Sequence, residues 1–547
     1  MSDNVYSYHT FLAPFIWQIE KNKNESFSKF CEKFEGPNSK WERNSVCDLS
    51  KDSETARENY AALQYFCPSI HDSIFDMGKN STKNKILHAY SLKKFQNKAS
   101  YIIEKEKKKD NGKKEKLRYT LSVNDIKLKI YNTGIAILVF ECENRNHPSF
   151  KDVKNINDYG RRISLPFIPE KPDASSICAD TLSLRWEENG QIQERKTDFR
   201  SFIEENQKQQ NINTLKSKNA EFVCNVLNYD RTENLFTTEK NCKENEYFIK
   251  LALDDRMYVM SMIVDTNLKE AYLQKNDNSK MYVFEEDENL SKALYEYVFV
   301  DSADDCSCQD DTMRSELLKK HLDRRWFNYG SLYGASQRSL VAFTTENKEG
   351  NKNKEGDEEE EDSDEEGNKN HIVNSFLTQY MQIACLAVAC YATLAKFEED
   401  IAEISTQETS SKKNKEVLDI RERFLKYRSQ LGGNNITFQE QGIELSEMVR
   451  TALGIKQSEE TITKRLDALF SAADYKITFN FNTIGWFVAI LETAAVYTEL
   501  IQKFLDNNGI TQESMSIILY YGLYYFLPFI VPILIYKFVR RYFKNKT

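Results

Sequence analysis

The chain lacks an excess of positive charge: 75 Lys and Arg stand against 84 Asp and Glu in 547 residues, a formal net charge of −9. Binding a phosphate backbone needs clustered cations in surplus, so no direct nucleic-acid partner is expected. No G-x-x-x-x-G-K-[ST] phosphate loop occurs, and the six histidines (His9, His71, His88, His147, His321, His371) are scattered, with no H-E-x-x-H or paired-ligand spacing. No catalytic residue, protein-bound metal or covalent cofactor is therefore expected, and the chain does not read as an enzyme. Met1–Gln18 lacks the basic and apolar regions of a secretory signal. With eleven irregularly spaced cysteines, this points to a reducing, cytoplasmic setting for the N-terminal bulk. Cys306 and Cys308 form a C-x-C among Asp304, Asp305, Asp310 and Asp311, but no second Cys or His pair lies near; a polar surface loop is expected.

A hydrophobic content of 40% is adequate for packed cores. Over residues 1–345, apolar and β-branched runs of strand length (Ile126–Tyr131, Thr133–Glu141, Phe248–Leu253, Met257–Val264, Tyr295–Val300) alternate with helical patterns at Asp52–Cys67 and Arg314–Asp323. An α/β or α+β domain follows. The basic run Lys105–Arg118, mixed with acids, reads as a solvated loop or hairpin tip. Residues 346–371 contain the unbroken acidic run Asp357–Asp362 and read as a disordered linker. A helical stalk region is expected over 372–476. Within it Ile372–Ala395 carries no formal charge, but its Asn, Gln and Thr residues favour a buried helix over a span. Ile462, Leu466, Leu469, Ala473 and Ile477 then form one apolar face.

The C-terminal region reads as a transmembrane hairpin. Ile517–Tyr536 has no charge over a length that crosses about 30 Å of hydrocarbon, and sits in a second span placed at 515–538. Pro528 and Pro532 are tolerated there, and tyrosines mark both ends. The basic tail 539–547 places the C-terminus in the cytoplasm. The first span, 477–504, holds Glu492 and Glu499; with Asn482, Gly485, Ala489 and Val496 they follow steps of three and four. Either this stripe lines an aqueous pore in an oligomer, or both glutamates lie near the outer interface, or the helix is only peripheral. The outer loop, 505–514, contains Asp506 and Glu513 but no base.

A long cytosolic domain, a stalk, two C-terminal spans and a basic tail resemble the CorA-type metal-ion transporters. That family's Gly-Met-Asn signature is missing: the corresponding place reads Asp506-Asn507-Asn508-Gly509. More specifically, His9-Thr10-Phe11-Leu12-Ala13-Pro14-Phe15, Tyr131-Asn132-Thr133-Gly134-Ile135-Ala136 with Phe140-Glu141, and Ile156-Asn157-Asp158-Tyr159-Gly160-Arg161-Arg162 resemble phrases of the CorA-like membrane effectors found beside type III CRISPR systems. So do Arg325-Trp326, Tyr329-Gly330-Ser331-Leu332-Tyr333-Gly334, Arg338-Ser339 and Gln439-Glu440-Gln441-Gly442-Ile443-Glu444. The resemblance implies a homo-oligomer, a pentamer in the transporters, in a prokaryotic plasma membrane, multi-pass with both termini cytoplasmic. It also implies antiviral defence through a channel gated by a nucleotide messenger, either a conjugate of S-adenosylmethionine with AMP or a cyclic oligoadenylate, with Mg2+ or another cation as the permeant ion. A constitutive divalent-cation transporter and a membrane-anchored sensor or scaffold without a pore are the alternatives.

An adenine nucleotide needs a stacking surface, and its phosphate needs Arg, Lys or backbone N–H groups. Two phrases supply them: Tyr159 with Arg161 and Arg162, and Arg325, Trp326, Tyr329, Tyr333 and Arg338. The same residues also fit a tight turn with a packed aromatic and arginines paired to carboxylates, and that alternative stays open.

Overall fold

The computed structural model describes residues 5–17, 26–37, 39–46, 60–78, 86–93, 99–108, 114–165, 178–188, 190–208, 216–227, 233–234, 250–253, 255–265, 271–272, 282–302, 306–327, 331–344, 371–407, 411–433 and 435–471, with isolated positions between 485 and 537. Strands are β1 (Ser7–Ile16), β2 (Trp41–Arg43), β3 (Leu87–Leu92), β4 (Ala99–Lys108), β5 (Lys114–Tyr131), β6 (Ile135–Asn144), β7 (Ser164–Leu165), β8 (Thr181–Glu188), β9 (Gln191–Asp198), β10 (Lys216–Asn219), β11 (Glu233–Asn234), β12 (Lys250–Leu251), β13 (Tyr258–Val264), β14 (Leu322–Asp323), β15 (Leu332–Ala335) and β16 (Ser339–Thr344). The helices that shape the site are α1 (Phe150–Gly160), α2 (Glu288–Phe299), α3 (Asp311–His321), α4 (Met381–Thr406), α5 (Ser411–Gln430) and α6 (Glu440–Ala452).

One large sheet runs β14-β15-β16-β13-β1-β6-β5-β4-β8-β9, with β12 on β1 and the β2–β3 pair on β5. Its pairs are antiparallel except β13 with β16, whose parallel register Val259↔Ser339 requires the crossover that α2 and α3 occupy. β1 is central, and Pro14 there has no N–H to donate to a ladder. It sits where the partner changes, between Leu12↔Tyr258 on β13 and Phe15↔Leu251 on β12, while its carbonyl accepts from Ala252 N at 3.0 Å. The missing donor falls at a break in the ladder.

The strand patterns at 126–131, 133–141 and 257–264 correspond to β5, β6 and β13, and the Lys105–Arg118 run to the β4–β5 hairpin. Of Phe248–Leu253, only Lys250–Leu251 is strand among the described residues. Of Asp52–Cys67, residues 60–65 are helical. Tyr295–Val300 is a correction: it ends α2. Asp287 caps that helix by accepting from Asn289 N and Leu290 N at 2.8 and 3.1 Å, and this start signal outweighs the apolar run. A second correction concerns Cys306 and Cys308, both buried. Buried Arg314 donates to the Cys308 carbonyl at 3.0 Å and pairs with Asp311, and Asp310 caps α3 through Met313 N, so these two acids are spent on helix geometry.

His371–Thr406 is continuously helical and long and apolar enough to cross a membrane, but 61% of its apolar window is buried. It lies against the sheet: the Thr133 and Thr393 hydroxyls meet at 3.0 Å, and Lys129 Nζ donates to Gln382. Phe397 packs edge-on to Phe424 of α5. The chain forms two compact units, 1–403 with 419–462, and 404–418 with 463–547, so the helical segments 371–403 and 419–462 belong to the sheet unit. In the second unit Gly485, Ala489, Glu492, Val496 and Glu499 are helical and exposed. Asn482, the acidic linker apart from His371, the outer loop apart from Asn507 and Asn508, and the second span apart from Lys537 lie outside the described residues.

Candidate functional site

The phrase Asp158 to Arg162 closes α1. Ser149 caps its start, accepting from Asp152 N at 3.1 Å. At its end Gly160 is helical, not in a turn; a Cβ there would lie 2.8 Å from Ile103 Cδ1 and 3.1 Å from Phe11 Cζ, so only glycine lets the helix end rest on the sheet. Tyr101 Oη donates to the Gly160 carbonyl at 2.6 Å. Tyr159 is fully buried, with Lys107 Nζ 5.2 Å from its ring centre, and presents no face to a ligand.

Backbone pairing then collects cations. Arg162 and Arg256 form an antiparallel bridge, Met257 N donates to the Arg161 carbonyl at 2.7 Å, and Val259 N donates to the Arg338 carbonyl at 2.9 Å. Arg161, Arg162, Arg256 and Arg338 thereby meet at one end of β13. Two carboxylates answer them: Asp158 accepts from Arg161 Nη2 at 3.0 Å, and Asp255 from Arg162 Nη1 at 2.5 Å. Charge remains in excess. Burial, then the charges of Arg338, Arg161 and Arg162, press Arg256 down to about 9. Burial presses Arg161 to about 10 against the opposing pull of Asp158. Both stay cationic at neutral pH, at a disadvantage that an anion would relieve. Arg161 Nη1 and Arg162 Nε, both buried, have no hydrogen-bond partner among the described residues.

The cluster is tied to one turn. Val300 adopts φ 50°, ψ 62°, a left-handed conformation that is rare for a β-branched residue. Its carbonyl accepts from Arg161 Nη2 at 2.8 Å, and Asp158 Oδ2 accepts from Ser302 N at 3.1 Å. Ser336, in the β15–β16 turn that carries Arg338, donates to the Val298 carbonyl at 2.8 Å.

Beyond this turn opens a cavity of about 1150 Å³, walled by the ends of α2 and α3, the β15–β16 turn and one side of α6. Arg338 and Arg325 both line it. Arg325 is ion-paired to Glu440 and Glu444 of α6, as the carboxylate alternative anticipates, and its guanidinium lies 5.7 Å from the Trp326 ring centre. Tyr333 is buried, edge-on to Tyr380 at 5.8 Å, and is part of the core. Tyr329 lies outside the described residues. The two phrases are thus joined through Arg338, and Tyr159 and Tyr333 are structural.

Sequence reasoning missed Arg256, which follows Asp255 at the entrance to a recognised strand, and Lys319 and Lys320 in the last turn of α3, which line the cavity. No metal-binding group of His, Cys, Asp and Glu occurs among the described residues. No protein-family model matches the chain, and no curated protein or solved structure is similar enough to match.

Proposed function

We propose that the chain is a ligand-gated membrane channel, an effector of type III CRISPR defence, opened when a nucleotide messenger binds its sheet domain. The observation that carries the reading is the arginine cluster: four guanidinium groups against two carboxylates, with buried N–H groups left to donate, beside a cavity large enough for a nucleotide. Supporting it is the stripe of Gly485, Ala489, Glu492, Val496 and Glu499, helical and exposed in the single chain, a face left for other copies around a shared pore. Lys503 Nζ lies 3.0 Å from Glu499, whereas Glu492 has no ion partner among the described residues. In liposomes, the full-length protein should release trapped cations only when the S-adenosylmethionine–AMP conjugate or a cyclic oligoadenylate is added. Leakage that is constant, and unaltered by either, contradicts the reading.

A further inference from the structure

The cavity beside α6 holds more than the arginine cluster uses. Lys319 and Lys320 are exposed at the end of α3, and with Arg338 they bring three cations to its wall that have no ion partner among the described residues. Also lining the cavity, the Tyr295 and Phe299 rings are stacked at 4.4 Å, and His321 meets Phe299 edge-on at 5.0 Å. His321 Nδ1 lies 2.6 Å from the Ala335 carbonyl, which can only accept; the neutral ring therefore leaves Nε2 as an acceptor. Cations for a phosphate, an aromatic wall for a base and an acceptor for an exocyclic amine describe one class of ligand, a nucleoside phosphate bearing an amino-purine.

The far wall is α6, held by two kinds of contact. At its start, packing is tight: a Cβ on Gly442 would lie 2.6 Å from Thr437 Cγ2, and Cys67 N donates to the Ile436 carbonyl at 2.8 Å. On its cavity side the hold is ionic, Arg325 to Glu440 and Glu444, at positions open to water where ion pairs are weak and exchangeable. α6 ends at Leu453 and Gly454, whose φ of +66° turns the chain into the helix 455–471, the segment that precedes the first span in sequence.

We propose that this cavity binds a nucleoside phosphate whose phosphate takes Arg325 from Glu440 and Glu444, and that α6 is thereby unlatched. The inference rests on the gated-channel reading for its purpose, but its test does not. Adenosine monophosphate is titrated into the full-length protein in detergent by calorimetry, with adenosine and inorganic phosphate as separate probes, and hydrogen exchange is followed over Glu440–Ala452. AMP should bind at least tenfold more tightly than either half-probe. Lys319→Gln with Lys320→Gln should weaken it at least tenfold, while the Lys→Arg pair retains it. AMP should speed exchange across α6, and Glu440→Gln with Glu444→Gln should speed it without AMP. Undiminished AMP binding in the Lys→Gln pair overturns the site, and exchange that neither AMP nor the Glu→Gln pair alters overturns the latch. If binding and exchange respond while protein-bearing liposomes stay tight, this inference stands and the channel reading falls.

Discussion

At the scale of single residues, buried polar groups set the terms. His9 lies fully buried in β1 and bonds Asn157 Oδ1 at 2.7 Å and Ser7 Oγ at 2.9 Å, an arrangement that suits a neutral ring. Burial lowers its pKa to about 4, with the Asn157 bond opposing. Between pH 6.5 and 4 the unfolded chain binds a proton that the folded chain refuses, so this stabilisation is complete above about 6.5 and is lost on acidification toward 4. The loss is on the order of 3 kcal/mol. Thermal unfolding of wild type should fall steeply over that window, and His9→Gln should flatten the fall; equal slopes would show that His9 is not the titrating group. Arg256 makes the opposite case, a charge kept at a disadvantage. Arg256→Gln should weaken anion binding about tenfold, ~1.4 kcal/mol, without lowering the melting temperature. A drop in melting temperature with binding retained would make Arg256 merely structural.

Among elements, what could be read depended on whether the signal was local. β5, β6 and β13 were legible because β-branched and aromatic residues recur in them at strand spacing. Tyr295–Val300 looked the same by composition, and only the cap at Asp287, eight residues earlier, decides for helix. The apolar segment from Ile372 was legible as a buried helix because its polar residues need partners, and Thr393 finds Thr133. Arg161, Arg162 and Arg338 lie in phrases visible in the sequence, but Arg256 joins them only through a bridge between residues far apart in the chain. Gly442 gives an element-scale test. Its α-carbon faces Tyr65 Oη and Thr437 Cγ2 with no room for a methyl group, so Gly442→Ala should destabilise by about 1–3 kcal/mol through overpacking of the α6 start. Chemical denaturation measures it, and an unchanged midpoint would mean that the contact yields freely.

For the whole molecule, a sheet domain whose arginine cluster outnumbers its carboxylate partners is followed in sequence by a C-terminal region whose helical stripe is open in the single chain. If that stripe lines a cation pore, Glu492→Gln should reduce cation selectivity more than Glu499→Gln, because Lys503 already offsets Glu499. Reversal potentials in planar bilayers report this directly, and identical behaviour of wild type and both variants would fit a hairpin that only anchors. The most direct test is cation leakage from liposomes bearing the full-length protein, wild type beside Arg256→Gln, as the S-adenosylmethionine–AMP conjugate or a cyclic oligoadenylate is titrated. Wild type should leak only with messenger, and the variant should need about tenfold more of it. Leakage independent of messenger, or no leakage from folded oligomers at any concentration, would contradict the gated-channel reading.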